Sequence, residues 1–396
     1  MKNLLILTVG TGTAGKSSNL AQGLRNTIEK IQPRCFWLVP SSSEDSFAVA
    51  ELVKENSVNF AGILGPIENP DDLACCRQTI RDAIKHVRKN LRKGEELIIN
   101  PVSGTKQMSA GATIAALDEK CGNIVFTVGD RADGVVITGS ERIVKFDSFS
   151  YFRGRDCKSA SDFFASGDFF AAKSLLEPYR ECESKAYNVA CLCLHWQRFD
   201  YSQAARYAAG YNQKLCGHLK TCRDSVKENR YERKIVADLL AWSFFALKHK
   251  NFEEAVRLAY KALEYAARGF LAWKFDVSPD FSGRYPVDIC DRLNLSFSCR
   301  NQLNLQEKNG GIILGLYNLI NILTALNVPF GEAVNQELLS LSRLRNGNTH
   351  GIQPVRESDA EEYCKKVRTV LVHHDAEFNP TVLPLQTLPF SGEEQG

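Results

Sequence analysis

The sequence predicts a Rossmann-like α/β domain followed by an all-α helical region. Three observations carry this reading. Six apolar, strand-like runs alternate with helical patterns through the first 150 residues, the strand signals stop after "SYFRGRDCKSASD", and the remainder reads as one helix after another. Such alternation implies a mostly parallel sheet with helices on both faces, which binds ligands at the carboxyl ends of its strands.

The expected strands are, in order, "NLLILTVG", "CFWLVP", "AGILGP", "ELIINPVSG", "NIVFTVG" and "RIVKFD". Between them lie the helical patterns "SNLAQGLRNTIEKI", "DDLACCRQTIRDAIKHVRKNL" and "KQMSAGATIAALDEK". Beyond residue 150 three segments resemble one another: "FFASGDFFAAKSLL", "HWQRFDYSQAARYA" and "LKHKNFEEAVRLAYKALEY". Each has a polar or glycine turn, an aromatic residue, then alanines at helix-packing spacing. The first two lie about 32 residues apart, near the period of tetratricopeptide-type hairpins, and the third is further off, so a helical-hairpin connector is expected rather than a repeat array. Longer amphipathic patterns follow, among them "YERKIVADLLAWSFFALK", "FEEAVRLAYKALEYAARGFLAWKF", "GGIILGLYNLINILTALN" and "GEAVNQELLSLSRLRNGNTHG". The expected organisation is an α/β domain over residues 1–150, a connector over 151–225, a second helical domain over 226–378 and a flexible tail over 379–396.

Composition narrows the function classes. Hydrophobic residues make up 44% and charged residues 24% of the 396, ordinary for a globular protein. No apolar run reaches the roughly 18 residues that span a bilayer, and "MKNLLILTVG" turns to glycine too early for a signal peptide, so a cytoplasmic protein is expected with no membrane partner. The formal charge of +3 is too small to argue for nucleic acid by itself. Thirteen scattered cysteines without a secretion signal read as reduced thiols. The most metal-like cluster, "CGHLKTC", offers Cys216, His218 and Cys222, but separations of two and six residues do not converge on one helix face, and no metal is expected.

The stretch "LTVGTGTAGKSSNL" satisfies two phosphate fingerprints at once. Gly10, Gly12 and Gly15 spell G-x-G-x-x-G, while Gly10, Gly15, Lys16 and Ser17 spell G-x-x-x-x-G-K-S. A P-loop NTPase also needs a strand ending in an acid for the Mg²⁺ shell, and a dinucleotide site needs an acid about 20 residues after the glycines. Neither is evident, although Glu44 and Asp45 keep the second idea open and Lys16 the first. A second loop, "NPVSGTKQMSAG", repeats the architecture of apolar strand, small-residue turn and helix start. Together the two loops offer backbone amides, the hydroxyls of Thr11, Thr13, Ser103 and Thr105, and the charge of Lys106 to a phosphate-rich ligand.

With "LLILTVGTGT" followed by "NPVSGTKQMS", the N-terminal part resembles the CARF domain, a CRISPR-associated Rossmann fold. The whole chain, including "ADLLAWSFFALKHKNFEEAVRLAYKALEYAA" and "RLRNGNTHG", resembles the type III CRISPR-associated CARF-HEPN ribonucleases of antiviral defence. That resemblance implies cyclic oligoadenylate, the tetra- or hexaadenylate ring, as activator across a two-fold axis. It implies contacts from Thr11, Gly12, Thr13, Ser103, Gly104, Thr105, Lys106 and Met108.

Within "RLRNGNTHG", Arg345, Asn346 and His350 match the R-x4-6-H signature of HEPN ribonucleases. On an unbroken helix a five-residue separation sets two side chains about 140° apart, so convergence requires the helix to end or bend, which Gly347 and Gly351 permit. His350 suits proton transfer near neutral pH, Arg345 can clamp phosphate oxygens with two N–H groups, and Asn346 can orient either. The implied activity is metal-independent endonucleolytic cleavage of single-stranded RNA by a homodimer, with no cofactor for catalysis. A sensing regulator that cuts nothing remains the alternative. Two further features read blandly. Arg77, Arg81, Lys85, Arg88 and Arg92 form a basic stripe at helical spacing, either a solvated face or an RNA track, and His373, His374 and Asp375 are assigned no role.

Overall fold

The computed structural model describes residues 3–11, 17–55, 57–132, 135–137, 139–303, 305, 307–337, 354–381, 383 and 388–390. The chain divides into two compact units, Met1–Arg155 and Asp156–Gly396.

The first unit holds six sheet strands: β1 (Leu4–Val9), β2 (Cys35–Pro40), β3 (Phe60–Ile63), β4 (Leu97–Asn100), β5 (Asn123–Val128) and, after a short hairpin of β6 (Arg131–Ala132) and β7 (Val135–Val136), β8 (Arg142–Lys145). Their order is β3-β2-β1-β4-β5-β8, parallel throughout except for the antiparallel edge pair β5–β8. All six expected strands are present. β1 is buried along its whole length and alternates between two cores. Leu4 and Ile6 pack with α3 (Leu73–Arg88) and α4 (Lys106–Asp118) on one face, and Leu5, Leu7 and Val9 pack with α1 (Ser17–Ile31) and α2 (Glu44–Glu55) on the other. Two-sided burial is why the parallel strands read as continuous apolar runs. Gly111 lets α3 and α4 approach closely, since a Cβ there would lie 2.7 Å from that of Cys76.

In the second unit the helices are α5 (Ser148–Ala165), which begins before the division, α6 (Phe169–Leu176), α7 (Ser184–Gln197), α8 (Tyr201–Ala208), α9 (Gln213–Lys227), α10 (Arg233–Lys248) and α11 (Phe252–Phe275). Then come α12 (Ile289–Arg292), α13 (Phe297–Leu303), the hairpin β9 (Glu307–Lys308) and β10 (Gly311–Ile312), α14 (Leu316–Ala325), α15 (Pro329–Glu337) and α16 (Glu357–His374). The three similar segments share one turn. A residue with left-handed backbone, Gly167, Phe199 or Lys250, precedes an Asp or Asn cap and then an aromatic. Asp168, Asp200 and Asn251 accept the amides of Ala171, Gln203 and Glu254, and Phe169, Tyr201 and Phe252 follow them into or against the core. Residues from Ala160 to Leu388 form a single hydrophobic cluster, in which Phe169, Trp196 and Trp242 meet edge to face.

Two expectations differ from the structure here. "GGIILGLYNLINILTALN" is not one helix: Gly310 turns left-handed, Gly311 and Ile312 pair with β9, and the extended Gly315 starts α14 only at Leu316. The tail from residue 379 is anchored at its described positions, because the Thr381 hydroxyl donates to Asp238 and Leu388 is buried in the helical core. All thirteen cysteines are free thiols. Among the described residues no helix is long and apolar enough to cross a membrane.

Replacing Phe169 by Ala is expected to lower unfolding free energy by about 3–5 kcal/mol, and Asp168→Ala by about 1 kcal/mol through loss of the cap. Urea denaturation of the two variants checks this ranking, and equal losses would show that the ring is not a central core residue.

Candidate functional site

The site is built where β1 and β4 end side by side, in register from Leu4↔Leu97 to Leu7↔Asn100. Beyond them the two glycine loops touch. A Cβ on Gly10 would sit 2.4 Å from the Cα of Gly104, so only glycine allows this approach. The Gly10 amide donates to the Ser103 hydroxyl at 3.0 Å in a buried hydrogen bond. Gly104 takes a positive φ of 115°, and a side chain there would strike the Met108 sulfur. Both loops therefore need glycine for separate reasons, close approach in the first and backbone conformation in the second.

Beneath the loops lies a buried polar layer. Asn100 donates through Nδ2 to the Thr127 hydroxyl at 2.9 Å and accepts the Val102 amide through Oδ1, while Thr127 and Thr27 hydroxyls lie 3.1 Å apart. On the other side of β1, the Ser46 hydroxyl donates to the Val9 carbonyl at 2.7 Å and accepts the Ser41 amide. These bonds satisfy the strand ends internally, so the turns above them are held without solvent.

Helix α4 starts at the second loop. Thr105 caps it by accepting the Met108 amide and ties it to the α3 entry by donating to the Pro70 carbonyl. Neither α1 nor α4 has an acid in its first turn. The partial positive charge of both helix starts is therefore uncompensated, and exposed Lys106 adds a full charge at the start of α4. At this turn the start of α4 and the Lys106 ammonium group can attract an anion.

Of the residues expected to touch an activator, the structure brings Ser103, Gly104, Thr105 and Lys106 together in one turn, with Gly104 against Gly10. Thr11 is exposed just beyond Gly10. Met108 is 1% exposed and packs in the core under Gly104, so it supports the turn from below. Gly12, Thr13 and Lys16 lie outside the described residues, as do Arg345, Asn346 and His350. Asn100, Ser46 and Thr127 were missed. A polar residue closing an apolar strand, as Asn100 closes "LIIN", is the signal that could have marked the first.

The competing readings of the first motif gain nothing here. β2 ends in Pro40 followed by serines, and Glu44 and Asp45 fall in the first turn of α2. No described strand of the main sheet ends in an acid: β3 closes on Ile63, β4 on Asn100 and β5 on Val128. The basic stripe is an ion-pair ladder between α3 and α4, in which Arg77 meets Asp118 and both Arg81 and Arg88 meet Glu119. The Arg81 guanidinium holds the Glu119 carboxyl below its ordinary range. Three of the five cations are thus engaged, which argues against an RNA track. At the end of α16, Asp375 accepts from Arg233, whose guanidinium stacks over Trp273. His374 is half-buried, and burial lowers its pKa.

No family model matches the chain, and no curated protein matches it. Among solved structures it is similar to Enterococcus italicus Csm6 bound to cyclic hexa-2'-fluoro-hexa-dAMP, with a TM-score of 0.61, 12% sequence identity, and 95% of each chain covered. The likeness establishes a shared fold over nearly the whole length.

Gly10→Ala forces backbone against backbone and is expected to cost about 1–3 kcal/mol. Ser103→Ala leaves the Gly10 amide buried without its acceptor, at a similar cost of about 1–3 kcal/mol. Denaturant midpoints unchanged in both variants would show that the two loops do not bear on each other.

Proposed function

We propose that the chain is an endoribonuclease of type III CRISPR defence, activated by cyclic oligoadenylate and cutting single-stranded RNA without a metal ion. The carrying observation is the contact of Gly10 with Gly104 at the carboxyl ends of adjacent strands, beside which Lys106 begins α4 with no acid in its first turn. The fold is that of a Csm6 solved with a cyclic hexanucleotide, so a phosphate-rich ring is the ligand class this turn suits best. A ring with rotational symmetry would meet two copies of the turn, which favours a homodimer. The domain assignment follows: sensing in residues 1–150, nuclease in 226–378, with a cytoplasmic location.

The nuclease reading rests on "RNGNTH". RNA carries its own nucleophile, and the chain's part is to manage protons and charge. The 2′-oxygen forms a bond to the adjacent phosphorus while its proton is taken up by a base. The bond from phosphorus to the 5′-oxygen then breaks, and that oxygen receives a proton. His350 serves proton transfer, Arg345 stabilises the charge that grows on the phosphoryl oxygens, and Asn346 orients the group. The products are a 2′,3′-cyclic phosphate and a 5′-hydroxyl. A homodimer supplies two Arg–His sets at one seam.

Lys106→Ala is expected to weaken activator binding by about 1.5–3 kcal/mol, the worth of a charge-assisted hydrogen bond, with an unchanged melting transition. Calorimetry with cyclic tetra- and hexaadenylate measures this, and equal affinity in the variant would remove Lys106 from the site.

His350→Ala is expected to slow activated cleavage by about 10²–10⁴-fold and Arg345→Ala by a comparable factor, with activator affinity retained in both. Labelled RNA bearing a single 2′-deoxy substitution at a mapped cut should resist cleavage at that bond. Cleavage there, a 3′-hydroxyl product or dependence on Mg²⁺ would mean that water is the nucleophile. Activator binding without RNA cleavage would instead make the chain a regulator.

A further inference from the structure

We propose that His218, Cys222 and Asp238 form a zinc site that clasps α9, α10 and the C-terminal segment, separate from the RNA-cleavage reading and independent of it. The two ligands on α9 are four residues apart and so lie on one helix face. Asp238 reaches them from α10, and the imidazole nitrogen, the sulfur and a carboxylate oxygen all lie within 4.8 Å of one another. The expectation of no metal at "CGHLKTC" weighed Cys216, His218 and Cys222 together along one helix, counting separations from Cys216. Cys216 donates to the Ala205 carbonyl instead, and the third donor comes from a different helix.

The surroundings are those of a metal ligand set. Asp238 is fully buried, and its orientation is fixed by the indole of Trp196, which donates to Oδ2 at 2.8 Å, and by the Thr381 hydroxyl, which donates to Oδ1 at 2.7 Å. Donors of this kind hold first-shell ligands in position. A buried carboxylate needs a cation at contact distance. Among the described residues its ion-pair partner is His218, whose Nε2 lies 2.8 Å from Oδ1 and whose side chain, at 17% exposure, opens the cluster to solvent.

One nitrogen, one thiolate and one carboxylate oxygen suit zinc, which favours tetrahedral mixed sites, over the oxygen-seeking Mg²⁺ or Ca²⁺. Binding exchanges protons for metal. The Cys222 thiol loses its proton to become a ligand, and His218 binds as neutral imidazole. Zinc uptake should therefore strengthen as pH rises.

The test uses the full-length chain, stripped of metal while folded and titrated with Co²⁺. The expected result is one Co²⁺ per chain, a thiolate-to-cobalt charge-transfer band, displacement of cobalt by Zn²⁺, and a melting temperature raised by either ion. Cys222→Ser should abolish the band and His218→Gln should weaken uptake, while Cys290→Ser should leave both intact. The wild-type titration decides even if a variant fails to fold. A wild-type chain that takes up no stoichiometric Co²⁺ or Zn²⁺, or a charge-transfer band that survives in Cys222→Ser, overturns the proposal.

Discussion

The contact between Gly10 and Gly104 is the constraint on which the α/β unit depends. Two strands in parallel register deliver their carboxyl ends to the same level, and the backbones then meet with no side chain between them. Once that approach is set, Ser103 must lie where it accepts the Gly10 amide, and Gly104 must turn left-handed over Met108. Thr105 is then placed to cap α4 and Lys106 to begin it. The anion site proposed at this turn rests on backbone packing, with few side chains devoted to it.

Two buried polar clusters, one in each unit, are satisfied differently. Under the cradle, Asn100, Thr127 and Thr27 share short hydrogen bonds among neutral groups, which costs little and demands no charge balance. The helical unit instead buries the charged Asp238 among Trp196, His218 and Thr381. A desolvated carboxylate is costly unless matched, so this second arrangement must be specific and is intolerant of losing a partner.

How much of this was legible in the sequence follows from where each signal resides. β1, β2, β4 and β5 could be read because two-sided burial writes itself as an unbroken apolar run, the edge strands β3 and β8 only through their short apolar stretches, and α11 because "FEEAVRLAYKALEYAARGFLAWKF" keeps one period over its full length. The two glycine loops were legible as turns, but their mutual contact was not, since Gly10 and Ser103 are 93 positions apart. The basic stripe misleads for the same reason: Glu119 and Asp118, which engage it, belong to the next helix. Met108 was expected as a ligand contact from the loop motif, and it lies within the first turn of α4 with its side chain in the core. The Arg345, Asn346 and His350 reading remains one of sequence alone.

The recurrent turn of left-handed residue, Asp or Asn cap and buried aromatic has a bearing on the order in which the chain assembles. Each turn joins helices adjacent in sequence, so most of the helical unit can form by short-range closure, which is rapid because little loop entropy is lost at each step. The bond from Thr381 to Asp238 spans 143 positions and cannot form until the intervening helices are in place. The C-terminal segment thus acts as a terminal fastener, the last piece to lock and the natural first point of local opening.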